Sequence, residues 1–229
     1  MKFPIGGKKR KLRVLKPDGR SGQIPEPTVK VRRKERIFFI AMNNVKFSTK
    51  TLAKMGVLAA ISVVLVYIIH FPIVPAASFL EYDPADVPIL LGTFAMGPVA
   101  GFILTVVASV IQGVTVSSAS SWYGIVMHII ATGCYVIVAG NIYKRKKTKK
   151  NAILALVAGV IVWVLVMIPA NLLLTPIYLQ TIVGLPAEAA KATVPPLLPW
   201  IILFNLIKSV VNSVLTFFLY KRVSGILHK

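Results

Sequence analysis

The sequence predicts an all-α integral membrane protein with six transmembrane helices and both termini on the cytoplasmic side. Three observations carry this. Hydrophobic residues make up 56% of the chain and charged residues 15%, where a soluble domain carries about a quarter charged. Mean hydropathy is +0.76. The net charge of +20 is gathered into blocks: 16 of the 27 Lys and Arg precede Met55, none falls between Met55 and Tyr143, and six follow in KRKKTKK, 144–150. A nucleic-acid binder would spread basic residues and aromatics over a folded face. Blocks at the ends of apolar runs are instead the pattern of cytoplasmic loops.

Taken in order, residues 1–46 are basic and broken by prolines, and read as a disordered cytoplasmic extension without the short apolar core of a cleavable signal. The membrane domain is expected over 47–229. Its first span is Leu52–Ile69, followed by the loop FPIVPAASFLEYD. A short apolar helix, Ala85–Met96, stops at Gly97-Pro98, and a third span follows at Val99–Val116. SSASS, 117–121, reads as a turn before the fourth span, Trp122–Tyr143. The fifth span is Ala152–Leu174, the proline-bearing stretch to Pro196 reads as a long connection, and the sixth span is Leu197–Tyr220. With the head inside, spans four and six both end at basic blocks on the inner side. Trp122 and Trp200 then begin spans at the outer interface, and Tyr143 and Tyr220 end them at the inner one.

Three of the seven acidic residues sit in EYDPADVP, 81–88. An extracellular loop makes them inexpensive. Asp83-Pro84-Ala85-Asp86 also approaches a helix-capping sequence, so capping is the expected role of Asp83 and Asp86. Cys134 is a lone cysteine, which excludes an intramolecular disulfide and leaves a packing role. No metal site is expected. His70 and His128 receive no role.

The costly residues are polar ones inside spans. Lys208 lies in FNLIKSVVN, eight residues from Trp200, roughly 12 Å along a helix. A central Lys costs about 2.5–3.5 kcal/mol on insertion scales. Asn205 and Asn212 share its helical face, and Asn171 lies in the fifth span. Either these line a polar binding site between helices, or the amides bond across helices and Lys208 meets a backbone carbonyl. A binding site with amides and an ammonium would suit a ligand with carbonyl and ring-nitrogen edges or hydroxyls. In span one, Ala53, Gly56 and Ala60 form a small-residue face, for internal packing or for docking a partner.

No GxxxxGK[ST], HExxH or GxSxG occurs, so ATP binding through a P-loop and the corresponding hydrolases are excluded. No catalytic residue is assigned. A transporter made of this chain alone would need a coupling carboxylate within a span. A passive facilitator, or a subunit energised by partners, is left. A lipid-modifying membrane enzyme remains the alternative class, although the spans lack paired acids or a Ser/His pair.

EYDPADVPILLGTFAMGPVAG, NLLLTPIY and FNLIK together resemble the riboflavin-specific S components (RibU type) of energy-coupling factor transporters, over about Asn43–Leu227. An S component for another vitamin is the alternative within that class. The resemblance implies the six-helix S-component fold in a prokaryotic cell membrane, with riboflavin as transported substrate and no cofactor. It implies a T component and two ATP-binding subunits as partners. It implies that Asn171, Asn205 and Lys208 contact the flavin, that the loop around Leu80 and Glu81 covers it, and that Ala53, Gly56 and Ala60 dock on the T component. The family favours Ala where this chain has Gly56.

Overall fold

The computed structural model describes residues 47–74, 80–116 and 121–227. The basic head, the middle of the 70–83 loop and most of SSASS lie outside the described residues. Those described form six helices: α1 (Thr49–Ile68), α2 (Asp86–Met96), α3 (Pro98–Val114), α4 (Ser121–Arg145), α5 (Lys149–Thr181) and α6 (Ala187–Leu227). A two-residue antiparallel pair, β1 (Phe71–Pro72) with β2 (Glu81–Tyr82), closes the loop between α1 and α2.

Helix α1 begins where the Ser48 side chain accepts a hydrogen bond from the Thr51 amide at 3.2 Å, which satisfies one of the orphan donors at a helix start. Met55, Leu58, Ala59, Ser62 and Val66 are its buried residues and form one helical stripe. The opposite face, including Val57, Ile61 and Val64, is exposed, as expected of a helix that meets lipid.

Helix α2 is buried almost throughout, from Asp86 to Phe94. It ends at Gly97, whose φ of 96° is a left-handed conformation that costs glycine little. Pro98 then opens α3 at a position where its missing N–H costs nothing. Four helices, α1, α4, α5 and α6, are long and apolar enough to cross a membrane, while α2 and α3 are shorter. An 11-residue helix rises only about 16 Å, roughly half a hydrocarbon core.

The long connection expected between spans five and six is mostly helix. Helix α5 continues through Pro176 to Thr181, and α6 starts at Ala187 and runs through Pro195, Pro196 and Pro199. Only residues 182–186 connect them, with Gly184 at φ 80°. A proline frees a carbonyl one turn back, but these three lie near the exposed start of α6, at positions open to the surroundings. Meanwhile Ala190, Val194 and Ile201 are fully buried along one stripe. That stripe holds the segment in helical register despite the prolines.

Small residues let the helices approach. A Cβ added to Gly159 of α5 would lie 1.7 Å from the Tyr135 ring of α4. Tyr135 is fully buried and shares a 2.6 Å hydrogen bond with Ser213 of α6, so the ring has nowhere to go. Gly159→Ala is expected to destabilise the protein by about 1–3 kcal/mol through overpacking. Thermal unfolding of the purified protein in detergent checks this, and an unchanged melting temperature would contradict the packing described.

Candidate functional site

A cavity of about 440 Å³ opens among α1, α3, α4, α5, α6 and the segment carrying β2. Its volume falls in the range of small-molecule sites. All five residues proposed from sequence for substrate line it: Asn171, Asn205, Lys208, Leu80 and Glu81. The apolar walls include Met127, Met167 and Phe204. Tyr123 and Tyr178 stack with centroids 4.5 Å apart and form an aromatic wall.

The polar groups of the cavity are held by their own helices and neighbours. Asn171 is 1% exposed. Its amide donates to the Met167 carbonyl at 2.8 Å, and its Oδ1 accepts from Thr175 at 3.2 Å and Tyr123 at 3.4 Å. Asn205 donates to the Ile201 carbonyl at 2.8 Å and accepts from the Trp163 indole at 2.8 Å. Lys208 donates to Asp83 Oδ2 at 2.6 Å. Against the full donor inventory of these side chains, one amide N–H on each Asn and two on the ammonium are still unspent. The site is donor-rich, rigidly held and walled by apolar surface. It suits a flat ligand with several acceptor atoms along one edge. Ser109 and His128 do face each other at its wall, contrary to the expectation that the spans hold no Ser/His pair.

Two expectations for the acidic octet need correction. Asp86 does not cap a helix from an extracellular loop. It is fully buried and accepts from His128 Nε2 at 2.9 Å, Thr132 Oγ1 at 2.7 Å and Asn212 Nδ2 at 2.9 Å. The residue before α2, Ala85, makes no side-chain cap. The reason is energetic: three donors from α4 and α6 offset the cost of burying the carboxylate, and a cap exposed to solvent offers less. Asp83 does bind a local amide, Ala85 N–H at 3.0 Å, but its second oxygen takes Lys208. Lys208 therefore meets a carboxylate, where a backbone carbonyl was the expected structural partner.

Asn212 shares the helical face of Lys208 but lies behind the cavity. It donates to the Asp83 carbonyl at 3.2 Å and accepts from the Tyr82 hydroxyl at 3.0 Å. Burial, followed by the Asp83 carboxylate, pushes the Tyr82 phenol above its ordinary range, which keeps it a donor. His128, given no role from sequence, lines the cavity and bridges Asp86 to Ser109, whose hydroxyl lies 2.7 Å from its Nδ1. The available signal was a histidine and a carboxylate that both fall in apolar helices, where ionisable groups tend to pair.

On α1, Ala53, Gly56 and Ala60 are exposed, and a Cβ on Gly56 would meet nothing within 4 Å. Their small-residue face is not used for packing among the described residues.

A family model described as the substrate-specific component of ECF transporters matches residues 50–220. The chain is 34% identical over 181 residues to the riboflavin transporter RibU of Staphylococcus aureus (strain TCH60), covering 79% of this chain and 93% of that protein. It is 30% identical over 125 residues to RibU of Lactococcus lactis subsp. cremoris (strain NZ9000), covering 54% and 61%. The riboflavin transporter FmnP of Bacillus subtilis (strain 168) is 26% identical, covering 72% and 87%. A solved S component of a bacterial ECF transporter matches the fold with a TM-score of 0.63 and 31% identity, over 79% of this chain and 98% of that one.

Replacing Asp86 with Ala strands three donors in the bundle. Asp86→Ala is expected to cost about 3–5 kcal/mol, and Asp86→Asn less because an acceptor oxygen remains. Thermal unfolding in detergent reads both. Equal melting temperatures for Asp86→Ala and the unmodified protein would show that the carboxylate is dispensable.

Proposed function

Because the chain belongs to the family of substrate-specific (S) components of energy-coupling factor transporters and is of the RibU type, we propose that it binds riboflavin from outside the cell and delivers it together with a T component and two ATP-binding subunits. It is a multi-pass bacterial membrane protein and a transport component rather than an enzyme.

One observation carries the ligand assignment: Asn171, Asn205 and Lys208, from two helices, line a single cavity with donors still unspent. The flavin ring system is flat and tricyclic, and its pyrimidine-like edge presents carbonyl oxygens and ring nitrogens. The two amides and the ammonium hydrogen-bond that edge, the Tyr123–Tyr178 wall and methionines accept the ring, and the segment at Leu80 and Glu81 covers it. Affinity then comes from a few placed polar groups in an apolar slot. Riboflavin is cargo here, and no cofactor takes part.

Six crossings with both termini cytoplasmic fit the charge distribution. The end of α4, the start of α5 and the end of α6 share one end of the bundle, and KRKKTKK and Lys221-Arg222 all fall there, as cytoplasmic loops require. The basic residues 1–46 are proposed as a cytoplasmic extension, and the membrane domain as 47–229. The exposed Ala53, Gly56 and Ala60 face of α1 is where the T component docks, since small residues let another helix approach closely. ATP hydrolysis by the partners supplies the work that this chain, without a P-loop, does not.

Lys208→Ala is expected to weaken riboflavin binding about tenfold or more, the scale of a charge-assisted hydrogen bond. Quenching of flavin fluorescence on titration measures it, and unchanged affinity would move the site elsewhere. Gly56→Leu is expected to leave that affinity intact and to reduce co-purification of the T component. Undiminished recovery of the complex would remove α1 from the docking surface.

A further inference from the structure

We propose that the groove between α5 and α6 at their basic end is a binding site for an anionic phospholipid, which lays an acyl chain in the groove and sets its headgroup among the Lys and Arg at the mouth. The groove holds about 460 Å³, and its walls come from the 153–161 stretch of α5 and the 210–218 stretch of α6. It shares no lining residue with the cavity at Lys208, so the inference stands apart from the riboflavin reading.

The groove is dry. Ser213 is the polar side chain among its lining residues, and its hydroxyl already donates to the Ser209 carbonyl and receives Tyr135 at 2.6 Å. A space with no polar partner to offer does not hold ordered water, and hydrocarbon fills it. Phe218 is 67% exposed at the rim and meets Phe217 edge-on, with centroids 5.8 Å apart.

Charge selects the headgroup. Helices α5 and α6 are joined at one end by residues 182–186, so the first turn of α5 neighbours the last turns of α6 at the other. Ile153 lies one turn from Lys149, and Phe218 one turn from Arg222, about 6 Å of helical rise in each case. The run 144–150 is exposed throughout, and so are Lys221 and Arg222. The carboxylates among the described residues are elsewhere: Asp83 and Asp86 at the Lys208 cavity, Glu81 on β2, and Glu188 in the first turn of α6. An acyl-sized groove thus opens onto a cluster of cations with no carboxylate among the described residues at that end. A lipid with a negative headgroup satisfies both at once, and a zwitterionic one brings a repelled ammonium as well.

The test uses the full chain in nanodiscs of equal parts phosphatidylglycerol and phosphatidylcholine with identical acyl chains, followed by native mass spectrometry of the lipids retained on release. Phosphatidylglycerol is expected to be retained about fivefold or more over phosphatidylcholine, the scale of one basic residue acting on an anionic lipid. Filling the groove with Val157→Phe and Val214→Phe leaves every charge in place and should bring the ratio close to one. Lys149→Gln, Lys150→Gln and Arg222→Gln together should do the same, and the groove-filled variant decides the matter alone if the charge variant fails to insert. Equal retention of the two lipids by the unmodified protein, or a preference that survives groove filling, overturns the proposal. So does a dimer without bound lipid that groove filling abolishes, since the groove would then belong to a second copy of the chain.

Discussion

The fold depends on a carboxylate that the bilayer cannot tolerate alone. Asp86 opens α2 fully buried, and His128 and Thr132 of α4 and Asn212 of α6 supply its donors. Removing water from a carboxylate is expensive, and full hydrogen bonding within the protein is what makes it tolerable. Three residues earlier in the chain, Asp83 binds Lys208 at 2.6 Å, so the segment that carries β2 is tied to the middle of α6. The two acids therefore determine where a short helix and a loop meet two long helices. The cavity is the space left beside that junction.

The surrounding bundle follows a different physics. Lipid is as apolar as leucine, so burial of aliphatic surface does little to bring helices together in a membrane. Close approach does more: Gly159 admits the Tyr135 ring, and Gly101 faces Thr93 across the α2–α3 turn. Large apolar side chains such as Leu165, Leu173 and Phe218 point outward, which in a soluble protein would signal aggregation. Here they account for the composition.

The cavity and the outward face of α1 differ in how their side chains are held. The amides of Asn171 and Asn205 are each held at both ends by a backbone carbonyl and by side-chain donors, so their remaining hydrogens point in set directions before any ligand arrives. That preorganisation lowers the entropy cost of binding. The outward face of α1 instead carries Ala53, Gly56 and Ala60 among larger apolar side chains such as Val57 and Ile61.

Much of this was legible along the chain. Apolar runs about 20 residues long and the blocks of basic residues determined that the protein is a bundle of membrane helices, because hydrocarbon thickness and the positive-inside bias act on local sequence. Lys208 with Asn171 and Asn205 marked the cavity for the same kind of reason: a polar group within a span is costly wherever it is. What partners those groups took was decided only in three dimensions. Asp83 is 125 residues from Lys208, and Asp86 is 126 from Asn212, and no local pattern links them. The helical start of α6 through three prolines was hidden likewise, since Ala190 and Val194 hold it by packing against the rest of the bundle. Periodicity reports what each segment prefers, but the cost of a buried charge is settled by whichever distant donor the fold brings to it.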